Sequence, residues 1–271
     1  MSTTSTATST ATIVAPGRTT GYAVRDSLTM LRRNLKRAQR YPAMTFSVVL
    51  MPVMMLLLFN YAFGGALGAG IGGGSYIDYV TPGIVLMTAT SGSVATAVGV
   101  CVDMTEGIVN RFRTMAISRS AFLTGHVVGS VLQTMVALVM VIGAAFAMGF
   151  RSSAGPLEWL AAAGLLMFVT LALTWVSAGI GLVSKTPESA SNTPLPLTFL
   201  PFIGSAIVPP DSMPTVLRWF AEYQPFTPVI ETLRGLLMGT EIGTSAWSAL
   251  AWCTGLTLLG YLWSRSVFYR R

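Results

Sequence analysis

Apolar residues along this chain gather into long unbroken runs separated by short polar stretches, instead of recurring every third or fourth position as they do on the helices of a soluble protein. The first run covers residues 43–63 and contains VVLMPVMMLLLF. A glycine-rich stretch, 64–74, reads as a short loop. Further runs follow at 80–102, 127–150 and 157–183, then a shorter, proline-interrupted one at 194–208, and a last one at 245–263. A span of about 20 apolar residues crosses a hydrocarbon core of roughly 30 Å as a helix, so the pattern predicts an all-α polytopic membrane protein with six transmembrane helices. Pro52 inside the first run is compatible with this, because neighbouring groups satisfy the carbonyl it frees. Residues 209–244 hold Pro209, Pro210, Pro214, Pro225 and Pro228 and are too polar to cross alone. They predict a short helical outer element before the last span, either an external cap or a re-entrant piece.

Basic residues set the expected orientation. With the N-terminus inside, every one of the 17 Lys and Arg falls on the cytoplasmic side except Arg151, Arg218 and Arg234. The positive-inside rule then favours an even number of spans with both termini cytoplasmic, in the inner (plasma) membrane of a bacterium. This placement also accounts for the net charge of +7. The charges flank spans and touch anionic lipid, and no soluble domain offers a nucleic-acid groove.

Composition agrees, with 52% hydrophobic and only 10% charged residues, less than half the charged share usual in soluble domains. Residues 1–20, rich in Ser, Thr and Ala, lack the apolar core of a cleaved signal and predict a disordered cytoplasmic tail. In 21–41, Val24, Leu28, Leu31, Leu35 and Ala38 recur at spacings of three and four, with Arg25, Arg32, Lys36 and Arg40 on other faces. That is an interfacial amphipathic helix, either an anchor or a lever that touches a cytoplasmic partner. The transmembrane domain then occupies 42–271. Cys101 and Cys253 sit inside apolar runs without C-x-x-C spacing and read as packing thiols.

The segment 103–119, DMTEGIVNRFRTMAISR, joins the second and third spans on the cytoplasmic side. Ile108, Phe112 and Met115 share one helical face, and Glu106, Asn110 and Arg113 another. Such a helix can seat an apolar knob in a partner's pocket while its charges fix register; a solvated loop with snorkelling arginines is the plainer alternative.

EGIVNRFRTMAISR resembles the cytoplasmic coupling loop of ABC-2 type membrane subunits, the antibiotic-resistance permeases of daunorubicin exporters in particular. FGGALG at 63–68, YVTPGIVLM at 79–87, SKTPESA at 184–190 and YQPFTPVIETLRGLLMGT at 223–240 extend the resemblance in the same order along the chain. It implies six spans per subunit, a second membrane subunit (a homodimer, or a pairing with a sister subunit), and two copies of an ATP-binding subunit. Glu106, Ile108, Arg111, Phe112, Arg113 and Met115 would carry the ATPase contact. The chain has no G-x-x-x-x-G-K-[ST] phosphate loop, so ATP and Mg are expected on the partner, with no cofactor on this chain.

On the fourth span Thr170, Thr174 and Ser177 fall at helical spacing, as do Thr88, Gly92 and Thr96 on the second. Small and hydroxyl faces let helices approach closely, and the same residues are the candidates for a weakly polar substrate path. His126, the only histidine, reads as an interface residue with no titratable partner nearby in sequence. Asp78 and Glu158 at outer ends and Asp103 at an inner end read as groups that reach water. Glu231 and Arg234, three apart, read as an ion pair on a short outer helix.

The expected function is export of a hydrophobic or amphiphilic compound such as an antibiotic or lipid, driven by the separate ATPase. Export of a glycan or lipid-linked carrier is the alternative within transport. An intramembrane enzyme acting on lipid is the alternative outside it, and no convergent nucleophile, acid–base set or metal cluster supports that one. A scaffold without transport is a further alternative.

Overall fold

The computed structural model describes residues 42–68, 75–106 and 119–270. The tail at 1–20, the amphipathic helix at 21–41 and most of the 103–119 segment lie outside the described residues. Within them the chain is helical and contains no strand.

Helix α1 (Pro42–Leu57) continues through a π-helical turn (Leu58–Phe63) into the short α2 (Gly64–Gly68). The glycine stretch expected as a loop therefore starts as helix: glycine is a poor helix former, but inside an apolar segment the backbone satisfies its own hydrogen bonds at any available length. Helix α3 (Tyr76–Thr105) has 30 residues, about 45 Å at 1.5 Å per residue, and α4 is Arg119–Ala147. Both are longer than the apolar runs. In α4 the helix opens eight residues ahead of the run's start at Val127, because polar residues at a membrane edge need not leave the helix.

Helix α5 (Pro156–Val183) begins on Pro156, with the Glu158 carboxylate accepting from the Gly155 N–H. Then come α6 (Pro187–Asn192), capped by the Thr186 hydroxyl, and α7 (Leu195–Ile203). Helix α8 (Thr215–Tyr223) exposes Val216, Trp219 and Tyr223. Helix α9 (Phe226–Met238) ends at Gly239, whose φ of 70° supplies the left-handed cap. The last helix, α10, is Ser245–Arg270.

Four stretches among the described residues are long and apolar enough to cross a bilayer: residues 48–68, α3, α4 and α5. Helix α10 has 26 residues but is less apolar, and the fifth run holds only the nine-residue α7, with the six-residue α6 just before it, each too short to span alone.

Helix α3 is the centre of the bundle, packing on α1, α4, α5, α6, α7 and α9, while α10 packs on α5 and α9. Side-chain pairs fix the directions. Ser177 meets Ser93 at 3.2 Å and the Cys101 thiol meets the Ser184 carbonyl at 3.7 Å, so α5 runs parallel to α3. The Ser264 hydroxyl donates to the Trp175 carbonyl at 2.9 Å, and Phe268 packs in one cluster with Leu182, so α10 runs parallel to α5. Arg151 N donates to Asp78 Oδ1 at 2.9 Å and His126 faces Asp103, so α4 runs antiparallel to α3. Ala190 packs with Ala97 and Cys101, while the Tyr76 hydroxyl donates to the Ile207 carbonyl, so α6 and α7 together run antiparallel to α3. The bundle thus has an Asp103 end and an Asp78 end.

Close approach in the α3–α5 seam depends on Gly181, where a Cβ would collide with the Ala97 carbonyl. Gly83 plays the same part toward the turn after α7, with a Cβ falling 2.5 Å from that of Ala206. Residues 209–244 divide in two. Only Ala221 of α8 is buried, whereas Phe226, Val229, Ile230, Leu233 and Leu237 of α9 belong to the main core.

Candidate functional sites at the two ends of the bundle

The six residues of the expected substrate path all lie inside this chain. Thr88, Gly92, Thr96, Thr170, Thr174 and Ser177 are buried where α3 meets its neighbours. The Thr88 hydroxyl donates to the Ile84 carbonyl at 2.9 Å, Thr170 to Leu166 at 2.6 Å and Thr174 to Thr170 at 2.6 Å. Such donation to the preceding turn is how a hydroxyl is held in an apolar interior. Ser177 donates to Ser93, and the buried Thr96 hydroxyl has no partner among the described residues. Gly92 abuts Thr134 and, with Ser130 and Gln133, lines a small cavity of about 60 Å³, room for a water or two and no more.

Of the expected ATPase contact, Glu106 is described. It caps α3, its N–H donating to the Val102 carbonyl at 2.9 Å, and its side chain is exposed. Ile108, Arg111, Phe112, Arg113 and Met115 lie outside the described residues.

At the Asp103 end the structure corrects two expectations. Asp103 does not reach water: it is 1% exposed, and His126 is 8% exposed, with Nε2 2.8 Å from Asp103 Oδ2. His126 therefore has a titratable partner after all. The two are 23 positions apart, on either side of the loop that joins α3 to α4, so no helical periodicity links them. The detectable signal is the antiparallel register: the pairing that sets Asp78 opposite Arg151 sets Asp103 opposite His126. Around the pair, Val100, Leu123, Val127, Leu182 and Phe268 form an apolar cluster. Burial of this kind strengthens an ion pair only where geometry and further hydrogen bonds compensate for lost water.

At the Asp78 end the focus is Arg234 on α9, 8% exposed. Its Nη1 donates to Glu231 Oε1 at 2.7 Å, the pair expected from the spacing. Its Nη2 donates to the carbonyls of Ser205 at 2.7 Å and Tyr79 at 3.2 Å, and its guanidinium lies 3.8 Å over the Tyr79 ring. One side chain thereby ties α9 to the start of α3 and to the turn after α7. The proline-rich turn that follows α7 leaves carbonyls without helical donors, and a planar fork of donors meets them. The end of α9 is held in turn by Ser152 and Ser153, which both donate to the Leu237 carbonyl. Nearer water, Arg218 bridges Asp211 at 2.6 Å and Glu222 at 2.7 Å, holding it well charged. Beside these groups opens a cavity of about 560 Å³.

Phe146 is exposed, whereas Trp175 is buried. Phe146 stacks among Phe150 and Trp159, and Trp175 is buried edge-on against Tyr261.

Long apolar helices that bury hydroxyls against their own carbonyls and gather charge at the two ends define a polytopic α-helical membrane protein. The chain belongs to the ABC-2 type transporter family, whose model matches residues 26–238. It is 30% identical over 226 residues to the daunorubicin resistance ABC transporter permease protein DrrB1 of Streptomyces coeruleorubidus, covering 83% of this chain and 78% of that protein. It is 21% identical over 236 residues to the probable doxorubicin resistance ABC transporter permease protein DrrC of Mycobacterium tuberculosis strain H37Rv, covering 87% and 85%.

Proposed function

We propose that this chain is the membrane subunit of an ATP-binding-cassette exporter that moves a hydrophobic or amphiphilic compound out of the cell, driven by ATP hydrolysis on a separate subunit. The observation that carries the reading is the likeness, over most of both chains, to a permease named for daunorubicin resistance. In this reading the six crossings are residues 48–68, α3, α4, α5, the α6–α7 pair and α10. The antiparallel course of α6–α7 beside α3 and the parallel course of α10 beside α5 support that count. The Asp103 end is then cytoplasmic, in keeping with Lys185, Arg265 and Arg270 near it and Arg151, Arg218 and Arg234 at the other end.

The ATPase acts on Glu106, Ile108, Arg111, Phe112, Arg113 and Met115, in the loop that joins α3 to α4. ATP and Mg are held by that partner, two copies of it serving a pair of membrane subunits in the bacterial plasma membrane. Because α3 packs on most of the other helices, a push at its Glu106 end is passed to the whole bundle and biases it between inward- and outward-facing states. The hydroxyl faces at Thr88, Gly92, Thr96, Thr170, Thr174 and Ser177, closed within one chain, become a path only if α3 separates from α4 and α5 during that change.

The test is co-purification from the native host together with dye efflux from intact cells. A soluble subunit with a phosphate loop is expected to accompany the chain, and Phe112→Asp to lose both the partner and the efflux. Consistent absence of such a subunit, or lipid turnover by the purified chain alone, overturns the proposal.

A further inference from the structure

Hydroxyls inside the spans of this bundle are commonly met by the turn before them, as at Thr88, Thr90, Thr170, Thr174 and Thr254. Ser130 and Thr134 on α4 depart from that habit: neither hydroxyl takes part in a hydrogen bond among the described residues. Thr134 is only 2% exposed, so its hydroxyl has no bulk water to turn to.

Both residues line the cavity of about 60 Å³ between α1, α3 and α4, together with Val48, Gly92, Ala95 and Gln133. Gly92 and Gln133 stand near the middle of α3 and of α4, which sets this polar wall at the depth of the hydrocarbon core. Gly92 makes the wall possible, since a Cβ there would collide with the Thr134 hydroxyl. At that depth an unmet polar group is costly, because lipid tails offer it neither donor nor acceptor. A pair of hydroxyls one turn apart on the same helix, lining the same cavity, calls for an occupant that both donates and accepts.

We infer that this cavity is a hydration site in the middle of the bundle, holding about two water molecules that join the Ser130 and Thr134 hydroxyls. The amide of Gln133 is a further polar neighbour, so the site offers a buried water the roughly two to four partners it requires. The space is too small for an organic body. No carboxylate lines it, so a cation would meet no countercharge. Water here lets α4 keep two hydroxyls against the small residues of α3 with no protein partner for either. The assignment does not depend on the export reading.

The test is water-edited solid-state NMR on the full-length chain in liposomes with isotope-labelled threonine, which reads how fast polarisation passes from water protons to each threonine Cβ. Peaks are assigned by their loss in Thr134→Val, Thr170→Val and Thr174→Val. Thr134 should receive water polarisation faster than Thr170 and Thr174, which are equally buried but bonded to their own helix. Ser130→Val fills the cavity and should bring Thr134 down to their rate while leaving theirs unchanged. Where Ser130→Val fails to fold, Ser130→Ala, which removes one polar partner, should slow Thr134 in the same direction. A Thr134 signal no faster than those of Thr170 and Thr174 in the unaltered chain overturns the inference. So does polarisation that reaches Thr134 first from lipid acyl protons, or a rate that the Ser130 variants leave unchanged. Because no ATPase is present, a failed search for the ATPase partner and a failed hydration test are separate results.

Discussion

The two ends of the bundle solve one problem in opposite ways. Each must keep charge beside the lipid-facing part of a membrane protein. At the Asp103 end the carboxylate of Asp103 and the imidazole of His126 meet at 2.8 Å, both buried. At the Asp78 end Arg234 is held by one carboxylate, two backbone carbonyls and an aromatic ring, beside an open, acid-rich cavity. The first arrangement joins two helices at one point and shuts water out. The second joins three segments and leaves room beside them. Arg234 draws on carbonyls from two further segments as well as on a carboxylate, so its loss strands acceptors on several elements at once, whereas the Asp103–His126 contact is between two side chains.

The sharpest way to break that contrast is to remove the clamp. Arg234→Leu strips donors from the carbonyls of Ser205 and Tyr79 and leaves Glu231 without its partner. Each abandoned buried acceptor costs about 1–3 kcal/mol, so the loss should be roughly 2–4 kcal/mol, discounted for the partial exposure of Glu231. Thermal unfolding in detergent should show it, and Arg234→Lys should recover only part. Lysine keeps the charge but lacks the planar fork that reaches two carbonyls and a carboxylate at once. A fully stable Arg234→Leu protein would mean that α9 is held by its apolar face alone.

The Asp103 end should yield less. His126→Leu leaves Asp103 buried beside one fewer partner, and the loss of that one contact sets the cost. A loss of about 1–3 kcal/mol is expected, and the double-mutant cycle with Asp103→Asn should return a coupling of about 1–2 kcal/mol. If the pair also transmits motion, His126→Leu should lower efflux per turnover of ATP in membranes where the protein is fully assembled. Additive single variants, with coupling between ATPase and efflux intact, would leave the pair with no role beyond packing.

The difference between the ends also explains what could be read in advance. Apolar runs fix α1, α3, α4 and α5, because the demand for about 20 apolar residues per crossing is stronger than any local propensity. Glu231 and Arg234 were legible because three-residue spacing on one helix brings side chains together. The rest of that end was not, since the partners of Arg234 are carbonyls at Tyr79 and Ser205, and a carbonyl has no sequence signature. Asp103 and His126 escaped for a related reason: their meeting depends on the register of two long helices across a loop, and each alone looks like an ordinary group at a membrane edge. Hydropathy placed the start of α4 at Val127 instead of Arg119, since it registers where the lipid ends and not where the helix does. The hydroxyl faces of α3 and α5 were visible as faces. Their spacing alone does not distinguish a seam from a path, and within one chain they form a seam.

The smallest effect sharpens the comparison from the side of charge. Arg218 is exposed, and its bridges to Asp211 and Glu222 cross solvent-accessible ground, so Arg218→Ala should leave thermal unfolding unchanged within error. Only Ala221 of α8 is buried, so a measurable fall would mean that these solvated bridges hold α8 in place, and the contrast between a buried clamp at Arg234 and a solvated rim at Arg218 would disappear.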